Sequence, residues 1–224
     1  MEVLYEDNHV IIVNKRAGEI VQGDKTGDTP LSEIVKMYLK ERFQKPGNVF
    51  LGVVHRLDRP VSGVVLFART SKALSRLSEG FRTRAVGKTY WAIVGQQPPQ
   101  DKGTLIHWLT RDERTNKARA YDREVPGAKR AVLDYRVIAR SDRYWLLEID
   151  LHTGRHHQIR CQLAKVGCPV RGDLKYGAPR SNPDGSISLH ARRITFEHPV
   201  SHQSIDITAP VPDDRLWAAI SRGL

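Results

Sequence analysis

The alternation of hydrophobic and polar positions predicts a chain built mainly of strands. The segment 2–15, EVLYEDNHVIIVNK, reads as two strands joined by a tight turn at Asp7 and Asn8, with 10–13 as the buried part. The apolar block at 63–69, GVVLFAR, predicts another buried strand, because short runs of β-branched and aromatic residues favour that state. Further strands are predicted for KTYWAIVG (88–95), GTLIHWLT (103–110), RAVLDYRVIAR (130–140), RYWLLEIDL (143–151), SISLHARRITF (186–196) and SIDITA (204–209).

Four segments have the periodicity of amphipathic helices. Thr29 is predicted to cap the first and Ser71 the second, because a side-chain oxygen at that position accepts an otherwise unpaired backbone N–H. Gly167 is expected to end the third helix. The fourth has acidic residues at its start, where the helix dipole favours them. The four segments are TPLSEIVKMYLKERF (29–43), SKALSRLSEGF (71–81), RHHQIRCQLAKVG (155–167) and DDRLWAAISRGL (213–224).

The order of these elements predicts an α+β fold on a largely antiparallel or mixed sheet with flanking helices. Strand mostly follows strand, and there is no regular βαβ alternation. The sequence has no internal repeat and no linker long enough to separate two domains, so residues 1–224 are predicted to form a single domain. The polar segment 112–130 is interpreted as a basic excursion from the sheet and as a mobile arm.

The charge balance favours a polyanionic partner. Lys and Arg number 36 against 25 Asp and Glu, which gives a net charge of +11. Such an excess strengthens binding to nucleic acid, because each neutralised phosphate releases counterions. The basic residues are dense in 69–88 and 111–130, which predicts a basic face. The start of the chain is not typical of a signal peptide, and no apolar segment approaches the roughly 20 residues of a membrane span, so the cytoplasm is the expected compartment.

The sequence gives no support for a metal or nucleotide cofactor. Cys161 and Cys168 are too few for a disulfide framework and do not have zinc-knuckle spacing, so reduced thiols are expected. No His-Glu-x-x-His helix is present, and His156 and His157 are adjacent, so they do not face one way on a helix. Glycine-rich phosphate-binding loops are also missing from the sequence.

Asp58 is the first candidate for chemistry. It lies in VHRLDRPVSGVVLFART (54–70), between Arg56 and Arg59 and directly before the predicted strand. Two interpretations are open, a salt-bridged turn or a reactive carboxylate in a basic pocket.

Arg160 and Tyr90 are the other candidates. In TGRHHQIRCQL (153–163), helical spacing places His156 and Arg160 on one face and puts the arginine at the edge of the core. An arginine there needs an acceptor, and Asp58 is a candidate for a bidentate pair. Tyr90 lies in a strand of apolar residues, where core packing is the alternative to a functional role.

These segments resemble the RluA-type family of pseudouridine synthases. The block 55–70 resembles the family signature His-Arg-Leu-Asp-x-x-Thr-Ser-Gly, and GKTYWAIVG resembles its Lys-x-Tyr-x-Ala strand. The sequence departs from the family pattern at Val61 in place of Thr, Ala17 in place of Pro, and Gln162 in place of His. Three further blocks follow the family's order: YEDNHVIIVNKRAG (5–18), TGRHHQIRCQLAKVGCPVRGDLKYG (153–177) and SLHARRITFEHPV (188–200).

The resemblance implies a function and a role for each matching residue. It implies a cofactor-free RNA uridine isomerase acting on ribosomal or transfer RNA, as a monomeric catalytic domain without a metal and without a separate N-terminal RNA-binding domain. A non-catalytic RNA-binding protein and a hydrolase with an aspartate nucleophile are the alternatives. The implied residues are Asp58 as catalytic carboxylate, Arg160 as its ionic partner, Tyr90 as the tyrosine that packs on the base and relays a proton, Arg56 in the space of the flipped base, His55 on the substrate, and Ile159 and Leu189 lining the pocket.

Overall fold

The computed structural model describes residues 1–24 and 26–224. These residues form eleven strands and four α-helices, together with a short 3-10 helix at Leu174–Tyr176. The strands are β1 (Glu2–Glu6), β2 (Val10–Lys15), β3 (Gly52–Val53), β4 (Ser62–Ala68), β5 (Gly87–Val94), β6 (Lys102–Asp112), β7 (Lys117–Tyr121), β8 (Lys129–Arg140), β9 (Trp145–Leu151), β10 (Leu189–Glu197) and β11 (Ser204–Thr208). The helices are α1 (Leu31–Arg42), α2 (Ser71–Thr83), α3 (Gln158–Lys165) and α4 (Arg215–Ile220).

The chain divides into two compact units. Unit 1 comprises Met1–Gly87 and Ala191–Pro210, and unit 2 comprises Lys88–His190 and Val211–Leu224. The division falls inside β10, between His190 and Ala191. Both units combine antiparallel strands with helices, which confirms the predicted α+β class. The single domain over residues 1–224 stays a prediction.

Unit 1 is built on the strand order β1-β2-β4-β10, with β3 paired to β4 and β11 paired to β10. The predicted hairpin of β1 and β2 is confirmed, and Val10 to Val13 are fully buried. All seven residues of β4 are buried as well. The side chains of Val64, Leu66 and Ala68 pack with Ala73 and Leu77 of α2, so helix and sheet share one core.

Gly63 at the start of β4 permits a close approach between two backbones. Its φ is +117°, a conformation that residues with a side chain rarely adopt. A Cβ at this position would lie 2.3 Å from the carbonyl oxygen of Ala191 in β10. The glycine of the signature block is therefore required by the contact between β4 and β10.

Unit 2 has the strand order β5-β9-β8-β6-β7, with antiparallel pairing throughout this series. The inner face of this sheet packs on α3, where Leu109, Ala118 and Ala131 contact Cys161. On the opposite, outer face, Trp91 of β5 packs with Trp217 of α4. The sheet of unit 2 is therefore covered by a different helix on each face.

The prediction that segment 112–130 is a mobile arm is wrong. Its central part is β7, which pairs in register with β6 from Trp108 opposite Tyr121 to Asp112 opposite Lys117. Ala118 is buried in the cluster that contains Cys161 of α3. The small apolar residues that alternate with the basic ones therefore make this segment a strand.

Two predicted helix caps are wrong by one residue. Helix α1 has Pro30 at its N-cap position, without a side-chain hydrogen bond from a capping residue, so Thr29 does not cap it. Helix α2 is capped by Thr70, whose Oγ1 accepts the backbone N–H of Ala73 at 3.2 Å, and Ser71 is the first helical residue. Adjacent hydroxyl residues can each serve as a cap, and the backbone path decides between them.

The third helix begins later than predicted. Helix α3 starts at Gln158, and His157 before it has the left-handed conformation, with φ of 51°. His156 therefore lies outside the helix, and the prediction that it shares a helical face with Arg160 is wrong. The acidic start of the fourth helix is confirmed, because Asp214 accepts the backbone N–H groups of the first turn of α4.

Among the helices described over residues 1–24 and 26–224, none has the length and apolar character required to cross a membrane.

Candidate active site

The segment that carries Asp58 in unit 1 is an irregular loop between β3 and β4. Its backbone closes a tight turn, in which Val61 N–H donates to the carbonyl oxygen of Asp58 at 3.0 Å. Asp58 is half-buried, and Arg56 is exposed to solvent. The carboxylate thus sits on a turn that leads directly into a fully buried strand.

A buried lysine donates hydrogen bonds to the backbone of this turn. Lys15, at the end of β2, is only 1% exposed, and its Nζ donates to the carbonyl oxygens of Arg16 at 2.9 Å, Arg59 at 3.1 Å and Val61 at 2.6 Å. An ammonium group has three N–H donors, so all of them are used. Val61, which departs from the family pattern, contributes its carbonyl to this set, while its side chain is buried. The ammonium therefore fixes the backbone on the C-terminal side of Asp58.

The pKa of Lys15 responds to both burial and Asp58. Burial lowers the pKa from 10.5 to about 8, and the charge of Arg59 acts in the same direction. The carboxylates of Glu19 and Asp58 raise it. Lys15 therefore interacts electrostatically with the candidate catalytic residue and donates hydrogen bonds to the backbone that follows it.

Replacing Lys15 with Met is expected to lower the free energy of unfolding by about 1–3 kcal/mol at pH 7.5, because buried carbonyl oxygens lose their donors. The folded-state pKa of about 8 lies below the value of 10.5 for the unfolded chain. Between these values the unfolded chain binds more protons, so the contribution of Lys15 to stability rises with pH. Urea denaturation at pH 7.5 and 9.5 should show a wider gap between wild type and variant at the higher pH.

Lys36 of α1, which is half-buried at the protein surface, supplies the control for this experiment. Its Nζ forms a surface pair with Glu33 at 2.8 Å, so Lys36→Met should change the free energy of unfolding by less than about 1 kcal/mol at both pH values. A gap in the free energy of unfolding between wild type and Lys15→Met that narrows as the pH rises would contradict the lowered pKa of Lys15.

His55 stabilises the loop on the N-terminal side of Asp58. Its Nε2 accepts the backbone N–H of Leu66 in β4 at 2.9 Å, and its ring stacks on Phe81 of α2 at 4.8 Å with an angle of 20°. These contacts within unit 1 position the loop by attaching it to the strand and the helix that form the core. Contact between His55 and a substrate stays a prediction.

The two arginines that flank Asp58 differ in their surroundings. The guanidinium of Arg59 donates to Asp28 Oδ2 at 2.7 Å and to Thr26 Oγ1 at 2.7 Å. Arg59 thus ties the turn to the segment before α1, whereas Arg56 extends into solvent. Of the two, Arg56 has the position suited to an external ligand.

In unit 2, Arg160 of α3 forms a buried ion pair with Asp173. Its Nε donates to Asp173 Oδ2 at 2.6 Å and its Nη2 to Asp173 Oδ1 at 2.9 Å. The two residues are 5% and 1% exposed, so the prediction that Arg160 lies at the edge of the core is wrong. The two parallel hydrogen bonds fix the plane of the guanidinium. A pair between Arg160 and Asp58, which belong to different units, stays a prediction.

Tyr176 connects this ion pair to the start of α3. The Arg160 guanidinium lies 5.1 Å from the centroid of the Tyr176 ring. The Tyr176 hydroxyl accepts the N–H of Ala118 at 2.7 Å and lies 2.8 Å from His157 Nδ1. Burial raises the pKa of Tyr176 to about 12, so the hydroxyl stays protonated at neutral pH. It therefore helps to hold His157 in its left-handed conformation.

Replacing Tyr176 with Phe is expected to lower the free energy of unfolding by about 1–3 kcal/mol, because the buried N–H of Ala118 loses its acceptor. Chemical denaturation measures this loss directly. Tyr121→Phe in β7 changes a half-buried tyrosine and is the matched control, with an expected change below about 0.5 kcal/mol. Equal stability of the two variants would show that the Tyr176 hydroxyl contributes nothing to the fold.

The remaining predicted residues also lie in unit 2. Tyr90 is half-buried in β5 and stands opposite Ile149 of β9. Leu189 directly follows Ser188, whose carbonyl accepts the N–H of Ile93 in β5 at 2.9 Å. The structure thus places Tyr90 and Leu189 on neighbouring backbone segments, with both Leu189 and Ile159 of α3 buried.

Gln162, which departs from the family pattern, has a structural position in α3. It is fully buried, and its Nε2 lies 3.0 Å from His107 Nδ1 and donates to the carbonyl oxygen of Leu105 at 3.2 Å. The glutamine amide thereby links α3 to β6.

Three residues of the candidate site were missed by the sequence reasoning: Lys15, Asp173 and Tyr176. Lys15 is a charged residue that closes the apolar run VIIVNK, and its position in a buried strand was the available signal. Asp173 and Tyr176 lie in GDLKYG, a segment matched to the family block without a role for either side chain.

The fold is that of the RNA pseudouridylate synthases. The human RNA pseudouridylate synthase domain containing 4 protein superimposes with a TM-score of 0.79 at 24% identity, over 97% of this chain and 90% of that chain. The human domain containing 1 protein gives a TM-score of 0.76 at 22% identity, over 97% and 86% of the two chains.

Sequence comparisons assign the chain to a family within this class. The family model described as RNA pseudouridylate synthase matches residues 9–165. An uncharacterised RNA pseudouridine synthase of Bacillus subtilis is 34% identical, covering 96% of this chain and 70% of the relative. The ribosomal large subunit pseudouridine synthase D of Xanthomonas campestris is 34% identical, covering 98% and 69%. The chain belongs to the RluA-type family of RNA pseudouridine synthases, and the enzyme is an isomerase.

Proposed function

We propose that this enzyme converts uridine to pseudouridine in structured ribosomal or transfer RNA without a cofactor, with Asp58 as the catalytic carboxylate. The observation that carries the proposal is the position of Asp58 on a turn whose backbone is held by two hydrogen bonds from the buried Lys15. A carboxylate that must meet one atom of a nucleoside needs such a rigid support.

The reaction defines what the site must supply. The glycosidic C–N bond of uridine breaks, and a C–C bond forms between the same sugar and the same base, so no net oxidation or reduction occurs. Attack on the sugar, addition to the base and removal of a sugar proton all require Asp58 in its ionised form.

The other residues hold the base and complete the site. Arg160, fixed by Asp173, is proposed as the ionic partner of Asp58. Tyr90 packs on the uracil, and its hydroxyl relays the proton lost from carbon 5. Ile159 and Leu189 are proposed to line the apolar wall of the pocket.

A uridine must leave its stack to reach such a site. The exposed Arg56 is proposed to occupy the space of the flipped base, because a planar guanidinium stacks on the neighbouring bases. The relatives named ribosomal large subunit pseudouridine synthase D favour ribosomal RNA as the substrate. The cytoplasm is the proposed compartment. The enzyme is proposed to act there as a monomer.

Purified enzyme incubated with unmodified ribosomal and transfer RNA tests this function. Carbodiimide mapping should reveal a new pseudouridine in one of the two RNAs, and the mass of the RNA should stay unchanged. The same site should be unmodified in cells that lack the protein. Release of free uracil would identify a hydrolase instead. Binding without a change in any uridine would identify a non-catalytic RNA-binding protein.

A further inference from the structure

The outer face of the unit 2 sheet carries a row of side chains that the proposed mechanism does not use. Trp108 of β6 stands directly opposite Tyr121 of β7 on one side and Arg130 of β8 on the other. Residues in register on neighbouring strands point to the same face of a sheet, so the three side chains form one row. We call this row, with the adjacent Ile106 and Arg119, the aromatic platform.

The platform belongs to the face that α3 does not cover. Along β6, His107 and Leu109 are buried on the inner face, whereas Ile106 is 42% exposed and Trp108 is half-buried. Tyr121 is also half-buried. The core of unit 2 therefore does not account for a tryptophan, a tyrosine and an isoleucine side by side at this position.

Two arginines lie beside the aromatic rings of the platform. The Arg119 guanidinium lies 5.2 Å from the centroid of the Tyr121 ring, and both Arg119 and Arg130 are exposed. The segment 111–130 contains seven Lys and Arg residues against four Asp and Glu residues. The surface thus combines flat apolar rings with positive charge.

Acidic residues on the same face lie apart from the platform and have partners of their own. The row of Ile106 opposite Val132 separates the platform from Asp134. Asp134 pairs with His152 at 2.6 Å, and Glu148 pairs with Arg136 at 2.6 Å. Asp134 and Glu148 therefore have basic partners within unit 2, while Arg119 and Arg130 of the platform are exposed.

We propose that the aromatic platform binds unpaired nucleotides of the RNA substrate outside the target uridine. Bases stack on Trp108 and Tyr121, and the phosphates pair with Arg119 and Arg130. Every base has a π-face that stacks on an aromatic ring, and guanidinium groups pair with phosphates, so single-stranded RNA matches both features of this surface. The net charge of +11 favours RNA over a protein partner. The inference rests on the proposed function, which supplies RNA as the ligand.

The platform acts on substrate binding and not on the chemical step. Tyr90 and Trp91 point to opposite faces of β5, and Trp91 belongs to the outer face with α4, so Tyr90 is on the inner face. Strand β7 ends the strand series of unit 2, and RNA bound at Trp108 passes around this edge towards the inner face. Contacts there should lower the KM for RNA and leave kcat unchanged.

Two double variants test the proposal. Fluorescence anisotropy with a labelled unstructured oligouridine measures Kd, and steady-state pseudouridine formation on the RNA substrate measures KM and kcat. Trp108→Ala with Tyr121→Ala should raise Kd and KM at least about tenfold, since each stacking contact contributes about 1–3 kcal/mol. Arg119→Glu with Arg130→Glu should raise both constants and reduce the slope of log K against log salt by about 1.4, since two phosphate contacts are lost. In both cases kcat at saturating RNA should equal that of the wild type.

Matched controls separate stacking from folding. Thr104 lies on the same strand and the same face as Trp108 but beyond the Ile106 row, so Thr104→Ala should leave Kd unchanged. Trp108→Phe keeps an aromatic ring and should retain most of the affinity, and circular dichroism verifies that each variant is folded. Wild-type affinity in both double variants would overturn the proposal and leave a protein as the partner of this surface. A fall in kcat without a rise in KM would also overturn it.

The experiment distinguishes this proposal from the proposed function. Oligouridine binding needs no catalysis, so Asp58→Asn should bind the oligonucleotide as the wild type does. If the wild type forms no pseudouridine, the proposed function fails, while the difference in Kd between the double variants and Thr104→Ala still decides the role of the platform.

Discussion

Asp58→Asn is expected to lower kcat for pseudouridine formation at least about 1,000-fold, the loss typical when a carboxylate that acts on the reacting atoms is neutralised. The amide has nearly the same shape but carries no negative charge and is a far weaker nucleophile and base. The turn should keep its structure, because Lys15 and Val61 hold it through backbone carbonyl oxygens and a backbone N–H. Carbodiimide mapping of the RNA product measures the loss.

Asp206→Asn provides the matched control. Asp206 is an exposed carboxylate of unit 1 that pairs with Arg193, so the same chemical change is made outside the candidate site. Its kcat should stay within about twofold of the wild type, since surface substitutions of this kind have small effects. Both variants should bind RNA with wild-type affinity. Normal pseudouridine formation by Asp58→Asn would remove the catalytic role proposed for this residue.

Asp173→Asn is expected to lower the free energy of unfolding by about 3–5 kcal/mol, because the buried Arg160 guanidinium loses the negative charge of Asp173 in the protein interior. Both oxygens of Asp173 accept hydrogen bonds from Arg160, at 2.6 and 2.9 Å, and the pair lies in the protein interior. The guanidinium loses its fixed orientation as well, so kcat should fall together with stability. Urea denaturation and steady-state kinetics measure the two effects.

A double variant tests whether the loss of stability comes from the unbalanced charge of the buried pair. Arg160→Gln combined with Asp173→Asn removes both charges, so it should be more stable than Asp173→Asn alone while remaining inactive. In the exposed pair of Arg193 and Asp206, the Asp206→Asn change should cost less than about 1 kcal/mol. If Asp173→Asn is as stable as Asp206→Asn, the buried pair does not hold Arg160 in place.

The strands were largely predictable from the sequence, and the helix boundaries were not. Strands β2 and β4 coincide with short apolar runs rich in β-branched residues, which favour a buried strand, and both strands are confirmed. Thr70 and Ser71 are equally able to cap α2, so local sequence did not decide between them. The late start of α3 depends on His157, whose ring nitrogen lies 2.8 Å from the hydroxyl of Tyr176, a contact that no local pattern contains.

The candidate site was predictable at the level of segments but not of contacts. The sequence around Asp58 predicted a loop directly before a core strand, because its charged residues precede an apolar run. The hydrogen bond from Lys15 to Val61 joins residues that are 46 positions apart in the sequence. This contact depends on the pairing of β2 with β4, which no local sequence pattern predicts. The pairing of Arg160 with Asp58 stays a prediction, whereas the buried acceptor Asp173, which lies 13 positions downstream of Arg160 in the same block, was not foreseen.

The division inside β10 makes unit 1 discontinuous along the chain, with consequences for the order of folding during synthesis. Residues 1–87 leave the ribosome well before Ala191–Pro210, which supply most of β10 and all of β11. Until then, the edge of β4 that later receives β10 has open backbone hydrogen-bonding groups and is a potential site of aggregation. The strand that follows the Asp58 turn is thus completed by a segment far downstream in the sequence, which delays a finished candidate site in the nascent chain until Ala191–Pro210 have been translated.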